Sequence, residues 1–443
     1  MYKLNLLLLL VVLPLDLFAE TEQKSALSFF GAELSGNKEG SIPPWQGGIV
    51  TPPANYKPGD WHPDPFTKDA PLFTIDPSNA GQYQDKLSAG HRAMLARYPE
   101  SYRLRVFPSR RSVSYPSAIA EQTLKYQGQA RVVDDGAGIV GIVRGIPFPE
   151  PENGEQAIWN MRLSYKGGGY RGYFTTALTA KDGTYELGVS AHEIEYMYGD
   201  PRSTLANLNN IKTRAVMYTL RPAKNAGSIY LYHFLLNSRK EERRNWAYSP
   251  GKRRVKRSSM ISHDQPMSGS DGIHIWDQGD MWLGPITEFN WTLLGKREMY
   301  VPYNAYQLHS GATAVDDIVA PKHINQDLAR YELHRVWVVE ATRREGSSHR
   351  YQRRRYYLDE DSWRVMFAEH YDEQGEVHRF SEAHHINYYE AKVFYTTLDT
   401  YYKLDTERYY LRHVDNDYSP FDFSFDQNAS YYIPGRLKMK AKR

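Results

Sequence analysis

From about residue 155 onward, apolar and polar positions alternate with a period of two. Neighbouring side chains on a strand point to opposite faces, so this period predicts strands. "GYFTTALTAKDGTYELGVSA" predicts a hairpin with Asp182 and Gly183 in its turn. "AVMYTLRPAKNAGSIYLYHFLL" predicts two strands joined through Pro222 to Gly227, and "WAYSPGKRRVKRSS", "EFNWTLLGKREMYVPY" and "YELHRVWVVEAT" continue the pattern. The stretch from Arg353 to Val377, "RRRYYLDEDSWRVMFAEHYDEQGEV", reads as strand, turn, strand, turn. Gly375 stands where a tight turn tolerates a positive φ. The product is an antiparallel meander, and no repeat of solenoid or propeller length interrupts it.

Before residue 155 the spacing is helical in two places. "IDPSNAGQYQDKLSAGHRAMLARYP" has Asp76 and Pro77 as cap and first turn; Tyr83, Leu87, Met94, Leu95 and Tyr98 then recur at helical spacing. Pro99 ends this helix, expected over 77–98. "SYPSAIAEQTLKYQ" predicts a second helix over 115–127. Residues 20–75 are rich in Pro and Gly, as in "TPPANYKPGDWHPDPF". Proline removes backbone donors, so this segment is expected as an extended arm lying over the body. The expected organisation is one mainly β domain with helices (α+β) over 76–430 and a basic tail over 431–443.

The N-terminus, "MYKLNLLLLLVVLPLDLFAETEQ", places Lys3 before the apolar run Leu6–Leu13, and Pro14 breaks that run. A membrane span needs about 20 apolar residues, so residues 1–19 read as a signal peptide cut after Ala19. The expected location is the periplasm, with a mature chain not integral to the membrane. The sequence contains no cysteine, which excludes disulfides, thiolate metal sites and a cysteine nucleophile. Net charge is only +3, and with export this argues against nucleic acid as a partner. The unusual component is aromatic, with 35 Tyr, 16 Phe and 9 Trp, which suits apolar pockets with a polar rim.

Candidate chemistry is sparse. Asp359, Glu360 and Asp361 fall where turns favour acidic residues, and successive turn side chains are expected to diverge rather than share one ion. Glu332 and His334 share a strand face at i, i+2, which fits an acid/base pair or a cross-strand ion-pair ladder. His62 with Asp64, and His384 with His385, are the best histidine candidates for metal, but adjacent residues on a strand face apart. "GKRRVKR" (Gly251 to Arg257) reads as an exposed strand whose charges block edge pairing. "LLGKRE" fails as a phosphate loop, because Asn290 replaces the first glycine and Arg297 the Ser or Thr. The expectation is no catalytic residues, no metal and no cofactor.

Five strings carry a resemblance: "GDWHPDPFTKDAPLFTIDPSNAGQY", "PFPEPENGEQAIWN", "WAYSPGKRRVKR", "NWTLLGKREMYVPYNAY", and "RYELHRVWVVEA" through "YYLDEDSW". Over about residues 45–415 the chain resembles a family of Gram-negative periplasmic proteins known only as domain of unknown function thirteen twenty-nine. That family is similar in fold to the lipoprotein carriers LolA and LolB. The resemblance implies a large curved antiparallel sheet, a half-barrel plugged by one or two helices. It also implies traffic of a lipid or other hydrophobic molecule between an inner-membrane transporter of the resistance-nodulation-division type and an outer-membrane protein.

An apolar concave face would hold such cargo without specific hydrogen bonds. Trp159, Trp246, Tyr248, Trp291, Tyr303, Trp337, Trp363 and Phe367 are the residues expected to line it. Two other readings stay open. One is an exported hydrolase acting on polysaccharide or lipid, using paired carboxylates such as Glu332 and Glu340. The other is an outer-membrane-associated structural protein.

Overall fold

The structure, a computed structural model, describes residues 26–239, 241, 243–258 and 262–441. The signal-peptide reading of residues 1–19 lies outside them. Two short strands, β1 (Phe73–Ile75) and β2 (Leu104–Val106), precede a separate two-stranded ribbon, β3 (Arg131–Val133) and β4 (Gly138–Val140).

An up-and-down meander follows: β5 (Gly169–Thr179), β6 (Tyr185–Tyr196), β7 (Ile211–Arg221), β8 (Ile229–Leu235), β9 (Arg243–Ser249) and β10 (Arg254–Arg257). A second contains β11 (Phe289–Pro302), β12 (Tyr331–Arg343), β13 (Arg353–Asp359), β14 (Val365–Tyr371), β15 (Val377–Tyr388), β16 (Val393–Lys403) and β17 (Arg408–Arg412). The last strand of the second meander pairs antiparallel with the first strand of the first, Leu411 opposite Ala177. One large sheet results, and it does not close into a barrel: β10 and β11 end the two meanders without meeting. It is mixed only because β2 touches β12 in parallel at Val106 and Tyr331.

The turns obey the sequence. Gly183 has φ +90° between β5 and β6, and Gly375 has φ +86° between β14 and β15. The basic string forms the β9–β10 hairpin; β10 is an edge strand with Arg254, Lys256 and Arg257 exposed. There the charges deny the edge to another chain.

Strands β13 to β16 are buried on both faces along almost their whole length. Consecutive aromatics go to opposite sides. Tyr357, Phe367, Tyr402 and Tyr409 join a core with Met94, Leu95 and Tyr98. Tyr356, Ala368, Tyr401 and Tyr410 join a second core with Ile158, Trp159 and Trp282. A doubly covered strand reads as a continuous apolar run, which accounts for the aromatic load.

The first core is covered by α1 (Ala89–Arg97), capped by Ser88 Oγ accepting from the His91 amide at 3.1 Å. A 3-10 turn over 80–86 precedes it, so the helix expected over 77–98 is broken in two. The second expected helix is α2 (Ser117–Lys125). The opposite core is covered by α3 (Gly154–Leu163), where strand periodicity was expected to begin. Asn153 caps α3, accepting from the Gln156 amide at 3.0 Å. Ala157, Ile158, Trp159, Asn160, Met161 and Leu163 are all buried. Only Glu155, Gln156 and Arg162 are partly exposed, too narrow a polar stripe to mark a helical period in the sequence. Three short helices complete the described chain: α4 (Tyr306–His309), α5 (Val315–Ile318) and α6 (Pro434–Lys440), the last within the basic tail.

The Pro/Gly-rich segment lies on the body. Phe30 and Ile42 are buried, and Trp363 Nε1 donates to the Phe30 carbonyl at 2.9 Å.

Candidate functional site

The first meander is less covered than the second. Along β5, β6 and β7 the burial is mixed, and the chain from Ser419 to Ser424 crosses in front of it. Arg171 and Asp422 bridge the two backbones, donating to each other at 3.1 and 2.9 Å. Between the strands and this crossing lies a hollow of about 530 Å³. Tyr173, Tyr218, Phe421 and Phe423 give it aromatic walls, and Arg171, His192, Glu193 and Glu390 are its main polar groups.

Each charged group in these walls is already matched. Arg171 Nε donates to Asp422 at 2.9 Å. Glu193 accepts from the Tyr218 hydroxyl at 2.6 Å and from Lys440 Nζ of α6 at 3.1 Å. Glu390 accepts from the Tyr56 hydroxyl at 2.7 Å and lies 2.9 Å from His62 Nε2. Burial, and then the Arg412 charge, push the His192 imidazole down to about 3, so it is neutral. A wall whose polar atoms satisfy one another asks little of a guest beyond shape and apolar surface.

From Glu390 a chain of contacts runs inward. His62 Nδ1 lies 3.0 Å from His309 Nε2, and His309 Nδ1 lies 2.9 Å from Thr397 Oγ1. It ends beside Asp415, whose carboxyl burial raises to about 8. A second, more open hollow of about 840 Å³ lies between Ile139, Ile142, Leu205, Leu208 and Leu236, edged by Asn209, Asn237 and Arg239.

The eight aromatic residues expected to line a cavity sit elsewhere. Trp159, Trp291 and Trp363 pack in one core, Tyr303 and Phe367 in the other. Trp337 is half-buried and stacks on Trp363 at 6.0 Å. Trp246 and Tyr248 are half-buried against the small Val216–Leu231 cluster. None of the eight lines either hollow. The wall residues Phe421 and Phe423 lie in "PFDFSF", where the alternating Phe pattern is the one local signal for them.

Two chemical expectations need correction. Glu332 and Glu340 stand on the same strand β12, eight residues apart, so roughly 27 Å separates them. They cannot flank one glycosidic bond. Asp359, Glu360 and Asp361 do mark a turn, but their side chains converge instead of diverging, and all three are buried.

Arg111 grips Asp361 with a fork of 2.6 and 2.9 Å. Glu360 takes Lys296 at 2.9 Å and Arg335 at 3.2 Å. Glu332 accepts from Arg330 at 2.6 Å and lies 3.0 Å from His334 Nε2, so the ladder runs along β12 rather than across strands. Burial, and then the Asp361 charge, raise the Asp359 carboxyl. The histidine candidates also part company. His62 contacts Glu390 and His309, while Asp64 accepts from the Phe66 amide at 2.7 Å.

The family model described as "Protein of unknown function (DUF1329)" matches residues 74–438. The chain is 36% identical over 425 residues to uncharacterized protein PA3922 of Pseudomonas aeruginosa, covering 95% of this chain and 92% of that protein. Among solved structures, a DUF1329 family protein from Desulfovibrio piger overlaps 63% of this chain and 95% of its own, at 13% identity and a TM-score of 0.43. LolA superfamily protein NE2245 from Nitrosomonas europaea overlaps 64% of this chain and 98% of its own, at 14% identity and a TM-score of 0.38. The match over most of the length and the Pseudomonas relative together show that this chain belongs to the DUF1329 family.

Proposed function

We propose that this protein is a periplasmic binding protein that carries a lipid or another hydrophobic molecule, without catalysing a reaction on it. The observation that carries this reading is the 530 Å³ hollow with aromatic walls and self-satisfied polar groups. Its size falls within the range of roughly 300–1,000 Å³ in which small molecules are enclosed. Burying a methylene is worth about 0.8 kcal/mol, so ten give about 8 kcal/mol before the cost of association. A guest therefore has to be a chain longer than that, or an equivalent polycyclic surface, to be held at micromolar levels.

Among the described residues no helix is long and apolar enough to cross a membrane. The carrier would take its cargo from an inner-membrane transporter of the resistance-nodulation-division type and deliver it to an outer-membrane protein. Movement of the Ser419–Ser424 crossing would open the hollow.

The test is a fluorescence titration of the mature chain with a dansylated fatty acid. The reading expects saturable enhancement at one probe per chain, weakened at least tenfold in Ala191→Trp, which fills the hollow from β6. Absence of saturable binding, or equal binding by the variant, overturns it.

A further inference from the structure

His334, Asp359 and Asp361 each present one ligand atom, and these three atoms lie within 4.8 Å of one another. All three side chains are buried. The cluster stands at the β13–β14 turn and on β12, with none of its members in the walls of the hollow.

Carboxylates outnumber the arginine and lysine side chains around it. Asp361 is answered by Arg111, Glu360 by Lys296 and Arg335, and Glu332 by Arg330. Asp69 is shared by Arg110 and Arg330, and Glu33 leans on Lys296 and Arg335 at 3.6 Å. That makes six carboxylates with Asp359, against five arginine and lysine side chains and the His334 ring, which lies 3.0 Å from Glu332. The carboxylate left over is Asp359. Its Oδ2 accepts from the Ser362 amide at 2.9 Å, the Ser362 hydroxyl at 2.6 Å and the Tyr303 hydroxyl at 3.3 Å. Its Oδ1 is buried and has no hydrogen-bond partner among the described residues. Three donors serve Oδ2, but no arginine or lysine among the described residues pairs with this carboxylate, and Oδ1 is left facing the cluster with nothing to accept from.

His334 is oriented as a ligand is oriented. Its Nε2 lies 3.0 Å from Glu332, and its ring lies flat on Tyr303, centroids 3.7 Å apart at 12°. A carboxylate on one ring nitrogen and an aromatic ring against its face hold the imidazole in one orientation, as partners behind metal-bound histidines do. The Arg111 fork holds Asp361 in the same way.

We propose that His334, Asp359 and Asp361 form a binding site for one divalent transition-metal ion, of the kind that accepts one imidazole nitrogen and carboxylate oxygens, such as zinc. The ion supplies the charge that Asp359 lacks. It clamps the β13–β14 turn to β12 and, through Arg111, to the N-terminal segment, whose Glu33 carbonyl accepts from Arg111 at 2.8 Å. Because the site is buried, the ion enters while the chain folds.

The test uses the mature chain with any affinity tag removed. It is unfolded with chelator, refolded with or without Zn²⁺ and desalted, then assayed for zinc by mass spectrometry and for its thermal midpoint. The expected result is about one zinc per chain and a higher midpoint in the zinc-refolded sample. Asp359→Asn and His334→Gln should each refold, judged by circular dichroism, and retain less than a tenth of the zinc. Zinc-free wild-type protein overturns the proposal, as does zinc retained by both variants. If a variant fails to refold, the wild-type stoichiometry and the other variant decide.

Discussion

Arg354 Nη2 lies 2.5 Å from Asp277 Oδ2, and neither side chain has any exposed surface. His349 Nε2 meets the same oxygen at 3.0 Å, and the guanidinium rests over the Phe289 ring, 4.6 Å from its centroid. Burial works against the Asp277 charge, but Arg354 and His349 outweigh it and hold the carboxyl well below its ordinary range. This contact ties the segment before β11 to β13, over the core that contains Trp282 and Trp291. A buried ion pair adds little stability compared with apolar packing, but breaking one leaves an uncompensated charge, at about 3–5 kcal/mol. Asp277→Asn should therefore lower the urea unfolding free energy by about that much, whereas Asp277→Leu combined with Arg354→Met should recover most of it. A single substitution costing under about 1 kcal/mol would contradict the pairing.

Gly90, in the first turn of α1, touches the sheet. A Cβ there would come within 2.1 Å of the Phe380 ring on β15. Alanine raises helix propensity by about 1 kcal/mol. Overpacking a core costs about 1–3 kcal/mol, and here the Gly90 amide must also keep its 2.6 Å bond to Glu369. The clash wins on these magnitudes. Gly90→Ala should destabilise the protein in chemical denaturation, although the same change in an isolated α1 peptide should increase its helicity.

Buried histidines set the acid limit. His384, like His192, is lowered, to about 4 by burial; His274, His309, His370, His385 and His413 are lowered well below the ordinary value, in each case first by burial. An unfolded imidazole titrates near about 6.5. Below that pH the unfolded chain binds protons that the folded chain refuses, so stability falls as pH falls from about 6.5 toward about 4. Asp399, raised to about 6, and Asp359, Asp415, Glu360, Glu195 and Asp64, also raised and in each case first by burial, act with the opposite sign, contributing stability that is lost as pH rises through their folded values. The histidines outnumber them. The urea midpoint should be lower at about pH 5 than at about pH 7, and an equal or higher midpoint at pH 5 would contradict this balance.

The matched charges in the hollow predict weak salt dependence. Cargo held by apolar burial against paired groups should change its affinity by less than about twofold between roughly 0.05 and 0.5 M salt. A decline of tenfold or more would mean that a charged headgroup contacts Arg171 or Lys440 instead.

The meander was legible because its turns carry local signals: Gly183 and Gly375 have positive φ where the sequence asks for it. Helix α3 was not, since burial leaves it only the narrow polar stripe of Glu155, Gln156 and Arg162. The aromatic residues were expected to line a cavity, and strands covered on both sides give no alternation by which Tyr356 could be told from Tyr357. "DEDS" was legible as a turn. The meeting of its side chains with His334 and Arg111 was not, because Arg111 comes from 250 residues away and no local pattern encodes that approach.

Native mass spectrometry of the protein purified without detergent tests the central claim most directly, with wild type and Ala191→Trp measured side by side. A carrier should release a hydrophobic molecule of stoichiometric amount from the wild type and little or none from the variant. Bare wild-type protein, or the same adduct on both, would contradict a cargo seated between β5–β7 and the Ser419–Ser424 crossing.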